Sequence, residues 1–284
     1  MILFVRDLTV IDFSYLCQQR GLLGESYIVD VELHGDLDQT SMVFDFGLVK
    51  KVIKKAIDQL VDHKLAIPVL SPATTLQSGE VEQVLFESAK GLVQVASPAE
   101  AFALIQAEKI DMASVTEFLT EQIKSLLPAN VAKLVIQLRT EQVSGFTYHY
   151  THGLKKHDGN CQRIAHGHRS TIQIFDNGML SPKLGKYWCE RWEDIYLATA
   201  EDQIDASALR YLRAETDALN FAYSSAQGYF EISLPATTCE IVPCDTTVEC
   251  LADFIAQSIK ESHQLNAVKV IAYEGVGKGA IAFA

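Results

Sequence analysis

Between Tyr148 and His168 the sequence gathers groups that hold metals and move protons: His149, His152, His157, Cys161, then His166-Gly-His168. Five of the eight histidines fall between positions 149 and 168, beside a cysteine. In an extended segment residues two apart share a face, so His166 and His168 point the same way, and a third imidazole from the preceding strand completes a three-nitrogen face. Three nitrogens with a fourth position open to water or substrate is how a catalytic zinc is held. The plainer reading is an exposed loop rich in His and Lys, and the density of imidazoles beside Cys161 weighs against it. A second pair, Asp62-His63, can act as an oriented proton shuttle, or can be a histidine meeting the dipole at a helix C-terminus.

Two similar halves must position these groups. Val131–Glu141 is a β-branched strand ending in glutamate, and Asn266–Glu274 repeats it. An amphipathic helix precedes each, over Val115–Ile123 and Val248–Ile259. Alternating strands Leu3–Phe13 and Tyr27–Leu33 open the first half, as Ser144–Thr151 and Ser170–Phe175 open the second. In the first half Asp45 starts a helix whose apolar stripe runs through Phe46, Leu48, Val49, Val52, Ile53, Ala56, Ile57 and Leu60, with Lys50, Lys51, Lys54 and Lys55 on the wet face. The matching region Leu180–Leu219 is patterned differently and breaks the symmetry: Pro182 and Gly185 predict a loop, and Ala206–Leu219 a helix.

Composition narrows the function classes. At 284 residues, 48% hydrophobic and 21% charged, the chain is globular and long enough for two domains. A net charge of −12 repels phosphate backbones and argues against nucleic acid as a partner. No apolar run approaches the roughly 18 residues of a membrane span, and Met1–Arg6 lacks a basic region leading into a long apolar one, so the expectation is a cytoplasmic protein without membrane contact. Six cysteines without a CxxC pair predict free thiols and a metal site built on histidine. Gly275-Val-Gly-Lys-Gly279 lacks the spacing of a nucleotide phosphate loop, and Trp188 and Trp192 are expected in the core or an interface.

These segments resemble the family of 6-pyruvoyl-tetrahydropterin synthase and 6-carboxytetrahydropterin synthase. The resemblance rests on Tyr148-His-Tyr-Thr-His152-Gly-Leu154, on Cys161 followed by His166-Gly-His168, on Met42–Lys50 leading to Val61-Asp62-His63, and on Glu141 and Glu274 at strand ends. It implies an α+β chain of two tandem tunnelling-fold modules, 1–143 and 144–284, with antiparallel sheets, helices on one face and assembly into a barrel as a homo-oligomer. It implies Zn2+ on His152, His166 and His168, Cys161 with Asp62 and His63 as the proton-moving residues, and Glu141 or Glu274 as the anchor of a small-molecule pterin.

The implied activity is that of a carbon-oxygen lyase acting on 7,8-dihydroneopterin triphosphate. Loss of triphosphate would give a 6-pyruvoyl product, or side-chain cleavage a 6-carboxy product, with the pathway open among queuosine biosynthesis, tetrahydrobiopterin and folate. The halves depart from the family in complementary ways. The first carries Cys17, Leu23 and Glu25 where zinc histidines are expected; the second shows no Asp-His pair in Phe221–Val242. One composite site per chain follows, with metal and Cys161 from the second half and Asp62-His63 from the first, within a chain or between chains. The alternatives are a non-catalytic zinc- and pterin-binding tandem and, last, a tandem nitrile reductase, whose Glu-Ser-Lys-Ser-type motif is absent.

Overall fold

The computed structural model describes all residues, 1–284. The first half runs β1 (Ile2–Cys17), β2 (Gly21–Gly35), α1 (Phe46–Leu60), β3 (Leu65–Pro68), β4 (Thr74–Gln77), β5 (Glu82–Ser88), β6 (Gly91–Ser97), β7 (Phe102–Ile105), α2 (Met112–Lys124) and β8 (Val131–Arg139). The second runs β9 (Thr147–His152), β10 (His166–Asp176), β11 (Met179–Leu180), α3 (Pro182–Arg191), β12 (Ile195–Thr199), β13 (Gln203–Ile204), β14 (Ala218–Ser225), β15 (Gly228–Pro235), β16 (Cys239–Val242), α4 (Val248–His263), β17 (Val268–Tyr273) and β18 (Gly279–Phe283).

Local chemistry explains the helices. Asp45 caps α1 by accepting the Leu48 amide, and Val49, Ile53, Ala56 and Ile57 form its buried stripe. Asp111 and Ser114 make a reciprocal capping box on α2, and Thr247 caps α4. α1 and α2 cover one face of the sheet β7-β3-β1-β2-β8. α3 and α4 do the same for β16-β12-β9-β10-β17-β18. The result is an α+β chain of two tandem modules, with helices on one face of each main sheet.

A third sheet, β13-β14-β15-β6-β5-β4, takes strands from both halves. Its centre pairs β6 with β15 antiparallel, Val95 opposite Ile232. Its apolar face, with Phe86, Val95, Phe221, Phe230 and Ile232, packs on Leu16 and Leu22 at the β1–β2 tip, on Ile164 just before β10 and on Tyr196 of β12. The modules are therefore joined through a shared core.

The element order corrects two readings of Leu180–Leu219. Pro182 occupies the first turn of α3, where a missing N–H costs nothing, and Ser181 accepts the Leu184 amide. Leu184, Trp188 and Cys189 are the buried face, and Trp192 is fully buried beside it, its indole bonded to Glu240. The expected helix over Ala206–Leu219 is one 3₁₀ turn, Ala206–Ala208, followed by loop and β14. The amides that such a helix needs are taken by side chains. Buried Glu231 accepts from Arg210, Tyr211 and Leu212, and Gln94 from Arg213. With α3 matching α1 and β13–β15 matching β4–β6, the two halves keep one element order through the region expected to differ.

Candidate active site

β9 and β10 pair antiparallel with His152 opposite His166 and Tyr150 opposite His168. This register gathers all three imidazoles on one buried face. Their ring centroids stand 4.4, 5.3 and 5.8 Å apart, and one ring nitrogen from each falls within 4.8 Å of the others. His152 Nδ1 lies 2.9 Å from the Thr246 carbonyl oxygen, and His166 Nδ1 lies 3.0 Å from that of Arg163. Each ring thus donates at Nδ1 and leaves Nε2 for another partner. His152 Nε2 and His168 Nε2 are buried with no hydrogen bond. Burial, reinforced by the neighbouring imidazoles, holds His152 and His166 well below the usual histidine range. Buried imidazole nitrogens without a hydrogen-bond partner are a donor set that fits zinc.

Across the seam stand Asp62 and His63. Val61 ends α1, and His63 turns through a left-handed φ of 54° into β3. Asp62 Oδ2 is 2.7 Å from His63 Nδ1, and Asp62 Oδ1 accepts the Asp12 amide. Burial opposes a charge on His63, yet the bond to Asp62 and the proximity of Cys161 outweigh it and raise its pKa to about 10. His63, Cys161 and His166 place ligand atoms within 4.8 Å of one another, and the His63 and His166 rings are 5.2 Å apart. The acid-imidazole pair, the thiol and the three-imidazole cluster therefore meet within one chain.

Glu274, at the end of β17, approaches His168 Nε2 to 3.9 Å. Glu141 lies elsewhere: its backbone carbonyl accepts from Arg169, on the far side of the β10 hairpin. Two residues of this site were not anticipated from sequence. Asp12 is 3% exposed and 3.2 Å from His168 Nδ1, and Lys278 reaches Asp12 at 3.1 Å and Glu274 at 3.8 Å. Lys278 sits in the glycine-rich turn set aside as a phosphate loop, and nothing local in sequence marks Asp12.

A pseudo-twofold axis passes between Gly24 and Gly167, where a Cβ on either glycine would overlap backbone of the opposite hairpin. The register corrects one correspondence. Phe13 opposes Glu25 and Tyr15 opposes Leu23, as Tyr150 opposes His168 and His152 opposes His166. The metal positions are thus matched in the first half by Tyr15, Leu23 and Glu25, and Cys17 lies beyond the face. The counterpart of Asp62-His63 is Glu193-Asp194, just before β12 rather than in Phe221–Val242; Asp194 has the same left-handed φ, 58°. It pairs bidentately with Arg20, at 2.8 and 2.5 Å. A guanidinium–carboxylate clamp thus stands at the second seam.

Glu25 stands in the first half where His168 stands in the second. Burial, only partly offset by the Ser26 amide and by Arg169 and Arg20, raises its carboxyl to about 7. A folded-state pKa above the unfolded one favours the fold at low pH, and that contribution disappears as pH rises through 7. Glu25→Gln is therefore expected to match wild type near pH 4 and exceed it at pH 8.5 by about 1–3 kcal/mol. Urea midpoints at the two pH values check this; equal pH slopes would refute it.

No helix of the structure is long and apolar enough to cross a membrane. Comparison with known proteins places the chain in a family. The model for 6-pyruvoyl tetrahydropterin synthase matches residues 16–137 and again 141–283. A Pyrococcus horikoshii protein bearing a provisional 6-carboxy-5,6,7,8-tetrahydropterin synthase name is 22% identical over 128 residues, 45% of this chain and 74% of the relative. A Methanocaldococcus jannaschii protein so named is 46% identical over 46 residues, 16% of this chain and 28% of its own length. Among solved structures, the 6-pyruvoyl tetrahydropterin synthases of Plasmodium vivax and Plasmodium falciparum cover 49% of this chain and 97% of theirs, at 16% and 15% identity and TM-scores of 0.38. Since the family model takes in both halves, nearly end to end, the chain belongs to the 6-pyruvoyl tetrahydropterin synthase family, in tandem form.

Proposed function

We propose that this chain is a zinc-dependent lyase that eliminates triphosphate from 7,8-dihydroneopterin triphosphate, with one working site at the seam between modules 1–143 and 144–284. The observation that carries the reading is the meeting of His152, His166 and His168 with Cys161 and Asp62-His63 in a single chain. Family membership supports tetrahydropterin synthase chemistry at the coarse level.

His152, His166 and His168 would hold the metal. The chemistry a bound zinc supplies is Lewis-acid polarisation of the substrate's side-chain oxygens, which lowers the pKa of the adjoining C–H and O–H groups. Cys161 takes a proton from the side chain and returns it at the neighbouring carbon. His63 shares that proton, and Asp62 fixes the ring so that Nε2 faces the thiol. Glu274 anchors the pterin by accepting two ring N–H groups in a bidentate contact. Glu141, on the Arg169 side, is left to the second seam, where Tyr15, Leu23 and Glu25 supply no comparable metal face.

Anaerobic incubation of zinc-loaded protein with the substrate, following inorganic triphosphate and pterin products, tests the reading. Turnover is expected, with Glu274→Gln raising KM at least about tenfold for the lost charged contact and Glu141→Gln leaving it unchanged. Zinc and pterin binding without product would instead identify a non-catalytic binder. The assembled form is expected to be a homo-oligomer through edge-strand pairing, which sedimentation reads directly.

A further inference from the structure

The seam holds a buried carboxylate that the proton-moving residues do not use. We propose that Asp12 is a positioning residue for the metal: a carboxylate of the N-terminal module that serves as the outer partner of His168 in the C-terminal module. The inference rests on the zinc reading above and names the group that orients one of the three ligands.

The other two rings are already anchored. His152 and His166 turn Nδ1 to neutral carbonyl oxygens of their own module, Thr246 and Arg163. His168 has no such anchor: both its nitrogens are buried without a hydrogen bond. Asp12 Oδ1 stands 3.2 Å from Nδ1, near enough for a charge contact but not aligned as a bond. A ring whose Nε2 is committed to a cation becomes a stronger Nδ1–H donor, and a carboxylate is the partner that best fixes its tautomer and orientation.

Asp12 is itself held from several sides. The Ser26 hydroxyl donates to Oδ1 at 2.5 Å, and Lys278 lies 3.1 Å from Oδ2. Its amide donates to Asp62 Oδ1 at 2.9 Å, and its carbonyl accepts the His63 amide at 2.8 Å. One residue is thereby tied through its main chain to the acid-imidazole pair and through its side chain to the metal face. Gly275, at a φ of +66°, makes room for it: a Cβ there would strike Asp12 Oδ1 and Ser26 Oγ. At the pseudo-twofold counterpart of Asp12 stands His149, whose Nδ1 meets the Gly24 carbonyl oxygen at 2.7 Å. At this position a carboxylate occurs only on the side of the imidazole trio.

The test measures zinc affinity by competition with a chromophoric chelator, together with the visible spectrum of the cobalt-substituted protein. Asp12→Ala is expected to weaken zinc binding by about 10- to 100-fold. Asp12→Asn, which keeps an oxygen toward Nδ1, is expected to recover part of that loss while shifting the cobalt bands. Arg20→Gln, which breaks the clamp at the second seam, is expected to stay within about twofold of wild type. Asp12→Ala binding zinc as tightly as wild type, or Arg20→Gln losing as much as Asp12→Ala, would overturn the proposal, the latter by showing a general seam effect. If Asp12→Ala does not fold, Asp12→Asn with wild-type affinity and an unshifted spectrum overturns it equally. Wild-type protein that binds no zinc would sink the metal reading and this inference with it, whereas zinc-tight Asp12 variants leave the metal reading standing.

Discussion

Cys161→Ala is expected to lower kcat for triphosphate release by about 10²- to 10⁴-fold, the range that a positioned acid-base group contributes, while zinc content stays at the wild-type level. The separation follows from geometry. Cys161 lies in the loop between β9 and β10 and shares a cluster with His63 and His166 but is not one of the imidazole trio. Removing its sulfur therefore removes a proton carrier without removing one of the three ligands. His63 would respond as well, because Cys161 is one of the groups that raise its pKa to about 10 against the opposing effect of burial. Asp62→Asn is the informative companion variant. It can keep an acceptor for the Asp12 amide, so the strand junction survives, but it loses the charge that holds the His63 ring. A kcat loss of about tenfold or more with zinc content at the wild-type level is the expected result. If both variants turn over at the wild-type rate, Cys161 and Asp62 have no part in the chemistry.

Much of this site could be read from residue order because the groups sit on regular elements with simple periods. His166 and His168 share a face by the strand period of two, and Asp62-His63 follows a helix whose apolar stripe is complete and whose cap is Asp45. The rest depended on pairings between distant segments. The second-half match to α1 was hidden because α3 is short, starts on proline and buries a Trp-rich face, so Pro182 and Gly185 read as loop signals. The Ala206–Leu219 segment has helical composition, but Glu231 and Gln94 capture its amides from strands β15 and β6. Asp12 is an ordinary alternating strand residue until the hairpins cross; then Ser26, His168 and Lys278 converge on it from three separate segments. Aligning the halves by residue type put Cys17 at a metal position. The β1–β2 register puts Tyr15 there, a shift of two residues that no local signal encodes.

Both seams lie in one interface and differ in what they bring together. At the seam with the imidazole trio the groups facing each other are a thiol and an imidazole; at the second they are Arg20 and Asp194, bonded through two nitrogens. That pair is partly buried on the Asp194 side and needs no ligand to be satisfied. Such an ion pair keeps the modules registered without a ligand, because both charges find their partner within the protein. The Gly24–Gly167 crossing fixes the distance between the seams.

Zinc added to metal-free protein is expected to raise the unfolding temperature by roughly 5–10 °C at 100 to 1,000 times the dissociation constant, the equivalent of about 2.7–4.1 kcal/mol of binding linkage. Without a cation the trio is a liability, since His152 and His168 bury Nε2 atoms that bond to nothing. The identity of the ligands can be read from which variants abolish the shift. Two clusters share His166: His152-His166-His168 and His63-Cys161-His166. If the first holds the metal, His152→Ala and His168→Ala lose the zinc-dependent shift and all turnover above background, while His63→Ala and Cys161→Ala keep the shift and lose only turnover. If the second holds it, the pattern inverts, and Cys161 is a ligand rather than a proton carrier. The buried state of all three rings in the first cluster, with His63 and Cys161 both partly exposed in the second, favours the first outcome. The low pKa of His152 favours it too, since ligation requires the neutral ring, whereas His63 is driven toward the protonated form by Asp62.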